Sequence, residues 1–556
     1  MQKVHFWLFL FLALEIGCKT PYQHTTDIHE IKKDSSGVNK IDAIQLFVYP
    51  IKEVATQLGI LLNDQSTSNN YAKLCSIYKV NNNKPFWTTV DQQREGLMLI
   101  ESCIFHGLNP QDYNSEQLNY LFQKLVLDTV FNVKKHAEFD VKLTQGVIKF
   151  IDHLQNGKLN PKDYNFSWNY PLKSNVTNDT VLKQLIVNKR INEIETFYEP
   201  QFIAYKQLKI ELKKLLRTNK EFSDEFVLKY PGFLNRPGDS NAYILSLKHK
   251  LKQKGYIKQD TLGLKFNAEL EQALKAFQQK HGLTPDGLPG KRTYTFLNWT
   301  KENYVNTLKI NLERLRWLSQ DLPENYLWVN IPAYKMQIHA NGTIQGEARI
   351  IVGKYKNQTP VFQSAINYLV FNPCWTVPNS ITSKSILPRL KKDSTYLKTH
   401  NMFLGENGVE VSSKGVDFSK FTKKNFPYKI YQRTGGSNAL GKVKFMFANK
   451  YSIYLHDTPS HNLFAKDYRA LSHGCVRVQN AMALSEYILF DLDDHKQTIA
   501  YYLKKGYPEK VYLQKKLPLM IHYFTCAYNE NIKQVVFYND VYAKDNKVLV
   551  DLRLRL

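Results

Sequence analysis

Ser472-His473-Gly474-Cys475-Val476-Arg477-Val478 follows the run Lys450-Tyr451-Ser452-Ile453-Tyr454-Leu455-His456-Asp457, and the way these two stretches meet decides the fold. A cysteine supplies a thiol nucleophile; a histidine takes the thiol proton and keeps the thiolate paired. Cys475 and His456 stand nineteen residues apart, too far to meet on one local element, so a fold must join them. KVKFMF (442–447) and YSIYLH (451–456) flank Ala448-Asn449-Lys450, the pattern of a β-hairpin ending at His456. Asn480 reads as the N-cap of a helix over AMALSEYILFDL (481–492). Cys475 then falls in a loop or short strand between hairpin and helix, which suits an exposed nucleophile. Gly474 lets a carbonyl approach and leaves an N–H for an oxyanion. His473 and Arg477 place positive charge beside the sulfur, which is expected to lower its pKa from about 8.5 toward neutrality. A structural buried cysteine is the bland alternative.

Outward from this site the chain is strand-rich. YLWVNI (326–331), KMQIHA (335–340), GEARIIVG (346–353) and AINYLVFNP (365–373) alternate as strands, with turns at Asn341-Gly342 and Asn372-Pro373. Residues 381–430 carry Pro388 and many lysines and read as an excursion from the sheet. Asn311 to Trp317 is helical in pattern. Residues 41–230 are mostly helical, with periodic segments at Arg94–Phe105 and Phe139–Leu154. Two similar turns, NPQDYN (109–114) and NPKDYN (160–165), hint at an internal repeat.

The whole chain has 556 residues, enough for three or four domains, and 43% hydrophobic content supports several cores. The formal charge of +25 favours anionic partners, among them nucleic acid, anionic membrane or an acidic wall polymer, or else reflects a generally basic surface. No nucleic-acid motif occurs, so nucleic acid is not an expected partner. The six cysteines form no CxxC pair, which argues against a zinc ribbon or thioredoxin-type site. No metal and no cofactor is expected. Cys75 and Cys103 lie in one region, and their pairing is left open.

Residues 1–18 read as a signal peptide: Lys3 begins a short positive region, and Phe6 to Leu14 is too short to span a bilayer. Gly17-Cys18 resembles a lipoprotein cleavage site, with Cys18 as the lipidated N-terminus; a plain secretory signal is the alternative. Residues 19–40 are polar and read as a tether.

Two resemblances organise the rest. LKHKLKQKGYI (247–257) and ELEQALKAFQQKHGLTPDGLPGKRTYTFLN (269–298) resemble the small three-helix peptidoglycan-binding domain over 239–298. QRTGGSNALGKVKFMFANKYSIYLHDTP (432–459) with LSHGCVRV (471–478) resembles the catalytic core of the L,D-transpeptidases. NLERLRW (311–317), Thr359-Pro360, NPCWTVP (372–378) and YFTCAYNE (523–530) match the larger, multi-domain branch of that family. The resemblance implies a multi-domain α+β chain: a helical scaffold (41–230), the peptidoglycan-binding domain, and a β-rich, sandwich-like catalytic domain (299–510). The 381–430 excursion would cap the substrate, and 511–556 would pack on the catalytic domain as an extension.

The resemblance further implies Cys475 as acylated nucleophile and His456 as general base. Ser472, His473 and Gly474 shape the pocket and oxyanion site. Arg477 stands where simpler members carry Asn; it orients the loop or meets a substrate carboxylate. A backbone carbonyl of the SHGC loop is expected to orient His456, because Asp457 points to the opposite strand face. Trp375, Tyr431, Asn438 and Tyr454 are groove candidates, with core packing as the alternative for Trp375. Lys384, Arg389, Lys391 and Lys392 either serve the cap or form a solvated face. The implied partners are a donor stem tetrapeptide, an acceptor diaminopimelate amine and carbapenem inhibitors, in the periplasm or cell envelope, with the membrane reached through the lipid anchor. A Cys-His wall hydrolase, such as an L,D-carboxypeptidase, would use the same pair. A non-enzymatic peptidoglycan-binding scaffold would rest on 239–298 and charge alone.

Overall fold

A computed structural model describes residues 49–64, 69–164, 166–167, 179–218, 226–258, 263–319, 321–406 and 409–554. The signal, tether and Cys18 expectations lie outside these residues. Among them, no helix is long and apolar enough to cross a membrane.

Three hydrophobic cores form among the described residues. The first gathers Val54 to Tyr198 from the helical N-terminal region. Its longest helix, Val133–Asn156, starts where the Asn132 side chain accepts from Lys135 N, and it buries the 139–154 face that the periodicity predicts. The similar turns recur as twin 3-10 turns: Asn109 Oδ1 accepts from Gln111 N at 3.2 Å, and Asn160 Oδ1 from Lys162 N at 3.1 Å. Cys75 and Cys103 are both free thiols.

The second core is continuous from Leu159 through the peptidoglycan-binding helices to Leu552. Helix Ile203–Arg217 buries Tyr205, Leu208 and Leu212 in this core, so the expected 41–230 unit divides its buried residues between two cores. Of the three helices Ala242–Gln253, Ala268–Lys280 and Lys291–Leu297, the second carries Leu270, Ala273, Leu274, Phe277 and Gln278 inward. Their docking is specific. Thr284 donates its N–H and hydroxyl to the Asp467 carboxylate at 3.0 and 2.7 Å. Gly282 adopts φ +58, and a Cβ there would lie 2.4 Å from the Tyr538 ring.

Helix Lys301–Arg316 joins the N-terminal helical region to the C-terminal β-rich region through buried polar groups. Arg316 pairs with Glu313 at 2.6 Å and donates to His106 O and Tyr205 Oη; Glu313 also accepts from Leu159 N at 2.7 Å. Arg314 pairs with Asp545 at 2.7 Å, and Asn311 exchanges two hydrogen bonds with Thr525. Every buried charge here has a partner, as burial demands.

The large sheet closes on itself. Strand Val361–Phe371 pairs with Val443–Phe447, which pairs with Leu455–His456; next come Val476–Val478, Thr343–Gly353, Lys335–Ala340 and Tyr326–Asn330. The long strand Glu509–His522 completes the ring by pairing with both Tyr326–Asn330 and Val361–Phe371. Val511–His522 is therefore a staple within the sheet rather than an extension lying on it. Its bulge between Tyr512 and Leu517 bends the sheet round.

The third core belongs to the excursion and holds Val377, Ile386, Leu387, Leu390, Leu404, Phe418 and Ile430. A small antiparallel sheet returns the excursion to the body, with Trp375 and Thr376 opposite Gln432 and Tyr431.

Candidate active site

The expected hairpin is present. Lys444 and Phe445 pair with His456 and Leu455, and Asn449 holds the turn by donating to Phe447 O and Ile453 O. Strand Val476–Val478 lies parallel to the His456 strand, with Leu455 opposite Val476 and His456 opposite Arg477. Side chains alternate across a strand. Leu455, Val476 and Val478 are fully buried in the core. Tyr454, His456, Cys475 and Arg477 therefore share the other face, where Lys444 joins them opposite His456. The register of these short strands places Cys475 and His456 on one face.

His456 is 5% exposed, and its Nδ1 lies 2.5 Å from Asp457 O. A carbonyl only accepts, so Nδ1 carries the hydrogen and Nε2 presents a lone pair. The orienting group is thus the next residue's own carbonyl, not the expected carbonyl of the SHGC loop. The Asp457 carboxylate turns away and accepts from Lys442 N at 2.8 Å. Burial, with the Arg477 and Lys444 charges, pushes the His456 pKa down to about 3, so the ring is neutral at physiological pH.

The thiol departs from expectation in the opposite direction. Burial raises the Cys475 pKa above its ordinary value, against hydrogen bonds from the Tyr454 backbone and hydroxyl and the charges of Arg477 and Lys444. His473 adds no charge, since burial and nearby Lys354, Arg477 and Lys384 lower its pKa. At rest the shared face carries a neutral thiol and a neutral imidazole. The Tyr454 ring stands edge-on to His456 with centroids 5.6 Å apart.

The loop carrying Cys475 is pinned from behind. Ser472 Oγ donates to Cys475 O at 2.6 Å and accepts from Gly474 N at 3.1 Å. The Gly474 N–H is thereby engaged and not free for an oxyanion; among the described residues, no acceptor takes the Cys475 N–H. Thr359 Oγ1 donates to Gly474 O at 2.7 Å. Gly474 sits at φ +125, a conformation glycine permits. Asn480 adopts φ +53 and makes no side-chain cap.

The groove candidates separate. Tyr454 acts on the sulfur, whereas Trp375 pairs with Gln432 at the base of the excursion. Tyr431 stacks on Phe403 at 5.2 Å within the excursion's sheet. Asn438 is 1% exposed, and its amide serves Gln432 O, Arg433 O and Leu440 N, so it offers nothing to a ligand. Lys444 is the site residue that sequence reasoning missed; its alternation with Val443 and Phe445 in KVKFMF could have found it. His106, Glu195 and Glu199 come close enough to hold a metal, but the Lys209 ammonium pairs with both carboxylates and supplies the positive charge there.

Residues 324–507 match the L,D-transpeptidase catalytic domain (YkuD), residues 72–212 the scaffold domain, and residues 240–297 the "Putative peptidoglycan binding domain". A Haemophilus influenzae protein named "Putative L,D-transpeptidase" is 34% identical over 258 residues, covering 46% of this chain and 51% of that protein. The chain thus spans about half the length of the curated relative it matches. The crystal structure of an L,D-transpeptidase from Stackebrandtia nassauensis is 12% identical over 52% of this chain and 94% of its own, with TM-score 0.21. That of an L,D-transpeptidase segment from Xylanimonas cellulosilytica is 13% identical over 53% of this chain and 100% of its own, with TM-score 0.17. At such scores neither superposition adds to the assignment. Taken together, these matches give the chain a scaffold domain, a peptidoglycan-binding domain and an L,D-transpeptidase catalytic domain.

Proposed function

We propose that the chain joins the third residues, diaminopimelate, of two peptidoglycan stems through a thioester on Cys475. The observation that carries this reading is the shared face of Cys475, Tyr454 and His456, with the His456 Nε2 lone pair available. Cys475 Sγ attacks the carbonyl of the donor's third residue while its proton passes to Nε2. The Tyr454 hydroxyl, released as the sulfur becomes acylated, and the Cys475 N–H are the donors that serve the oxyanion. The C–N bond breaks, the imidazolium protonates the departing D-alanine amine, and the thioester remains. The acceptor's diaminopimelate side-chain amine then attacks the thioester. Its proton passes through Nε2 to the sulfur as the C–S bond breaks. One amide replaces another and no water is consumed, which requires a sheltered site. The 381–430 excursion, with its own hydrophobic core, supports that shelter.

The domain content supports an extracytoplasmic, cell-wall location, and lipid attachment at Cys18 belongs to the same reading. Carbapenems, as strained acyl donors, would acylate Cys475. Intact-protein mass spectrometry tests this: the adduct is expected on the native chain and absent from Cys475→Ala. No mass shift, or one that survives Cys475→Ala, sinks the assignment. Digested peptidoglycan should contain new crosslinked dimers; shortened stems alone would mean hydrolysis.

A further inference from the structure

Lys444, His456 and Arg477 occupy matched positions on three adjacent strands, with Lys444 opposite His456 and His456 opposite Arg477. Neighbouring strands lie about 4.8 Å apart, so the two cations flank the base on the nucleophile's own face. Both also act on the Cys475 sulfur. Neither makes a salt bridge among the described residues. Arg477 Nε is buried without a hydrogen-bond partner. Lys444 lies 5.7 Å from the Tyr454 ring centroid and is otherwise influenced by Cys374, Lys510 and Cys475, none of them a carboxylate. Asp457, the nearest acid in sequence, faces Lys442 N on the other side of the strand. Arg314, Arg316 and Lys158, by contrast, each pair with a carboxylate. Two desolvated, uncompensated cations beside a nucleophile are costly unless an anion arrives with the ligand.

We propose that Lys444 and Arg477 form a carboxylate clamp for the C-terminal carboxylate of the donor's leaving residue. This rests on the transpeptidase reading above and names the groups that read the donor's end. In an acyl donor cleaved before its last residue, that carboxylate lies three bonds from the attacked carbonyl carbon. A cation pair beside Cys475 and His456 is within reach of it, and Arg477 can present two N–H donors to two oxygens. The clamp orients the attacked carbonyl and holds the departing amine near His456 Nε2.

The test compares acylation of the full chain by a stem tetrapeptide and by the same peptide with a C-terminal carboxamide, followed by intact mass. Charge-assisted hydrogen bonds of this kind correspond to a preference for the carboxylate donor of about tenfold to a hundredfold. Arg477→Gln and Lys444→Met should each reduce the ratio, the double variant should bring it near one, and Arg477→Lys should recover part of it. The ratio is insensitive to thiol reactivity, because both donors meet the same nucleophile. Equal rates with both donors on the native chain, or a ratio that survives the double variant, overturn the clamp and leave the transpeptidase reading standing. If the double variant fails to fold, the native chain's ratio alone decides. Acylation by neither donor overturns the transpeptidase reading and the clamp with it.

Discussion

Tyr454→Phe removes a single O–H from the Cys475 sulfur and keeps the ring against His456. The sulfur is already disfavoured as a thiolate by burial, and the Tyr454 hydroxyl is one of the groups that offset this. Hydrogen bonds to charged groups contribute about 1.5–3 kcal/mol, so losing this one should slow thiolate-dependent chemistry about tenfold to a hundredfold at fixed pH. The assay is alkylation by iodoacetamide, with peptide mass mapping to isolate Cys475 from the other free thiols. In the native chain the rate should climb about tenfold per pH unit from pH 6 to 8, because the thiol titrates above its ordinary range and His456, near 3, has no proton to share. Tyr454→Phe should show the same slope at a lower rate. A plateau between pH 5 and 8 in the native chain would mean a preformed thiolate–imidazolium pair and refute the neutral-pair reasoning. An unchanged rate in Tyr454→Phe would refute the role of the hydroxyl.

Three further outcomes follow from the same contacts. Ser472→Ala should strand the buried Gly474 N–H and Cys475 O, lowering stability by about 1–3 kcal/mol per group and slowing acylation; urea unfolding and carbapenem adduct rates check both effects. Gly441→Ala forces a Cβ at φ +64 to within 2.2 Å of the Asp457 carboxylate, so the segment whose carbonyl holds His456 must shift; the expected result is a lower melting temperature together with slower acylation, and retention of both would contradict it. Five buried histidines have depressed folded pKa values, His106 to about 4 and His153, His281, His456 and His522 to about 3. The unfolded chain binds these protons near pH 6.5 and the folded chain does not, so stability should fall as pH drops from about 6.5 toward 3, visible as a falling melting temperature.

The cysteine and histidine of the candidate site, the hairpin that ends at His456 and the helical modules were all legible in the sequence. Each rests on chain-local signals: alternation in KVKFMF and YSIYLH, helical period in 139–154, and turn residues such as Asn449 and Gly282. The direction of the Cys475 shift was not legible, because desolvation depends on strands and a cap that lie far away in the chain. The sequence displays Arg477 beside the sulfur, but not the burial that outweighs its charge. Likewise only the folded loop reveals that Gly474 N–H is taken by Ser472, and that His456 leans on its own neighbour's carbonyl. The staple at Val511–His522 and the Glu313–Arg316 pair bridge residues that no short-range pattern connects. Composition and periodicity determined which elements form, and the motifs singled out which side chains could carry chemistry. The register of Lys444, His456 and Arg477 across three strands, and with it the charge state and hydrogen-bond partners of the site, was decided by tertiary structure, because electrostatics and desolvation act through space rather than along the chain.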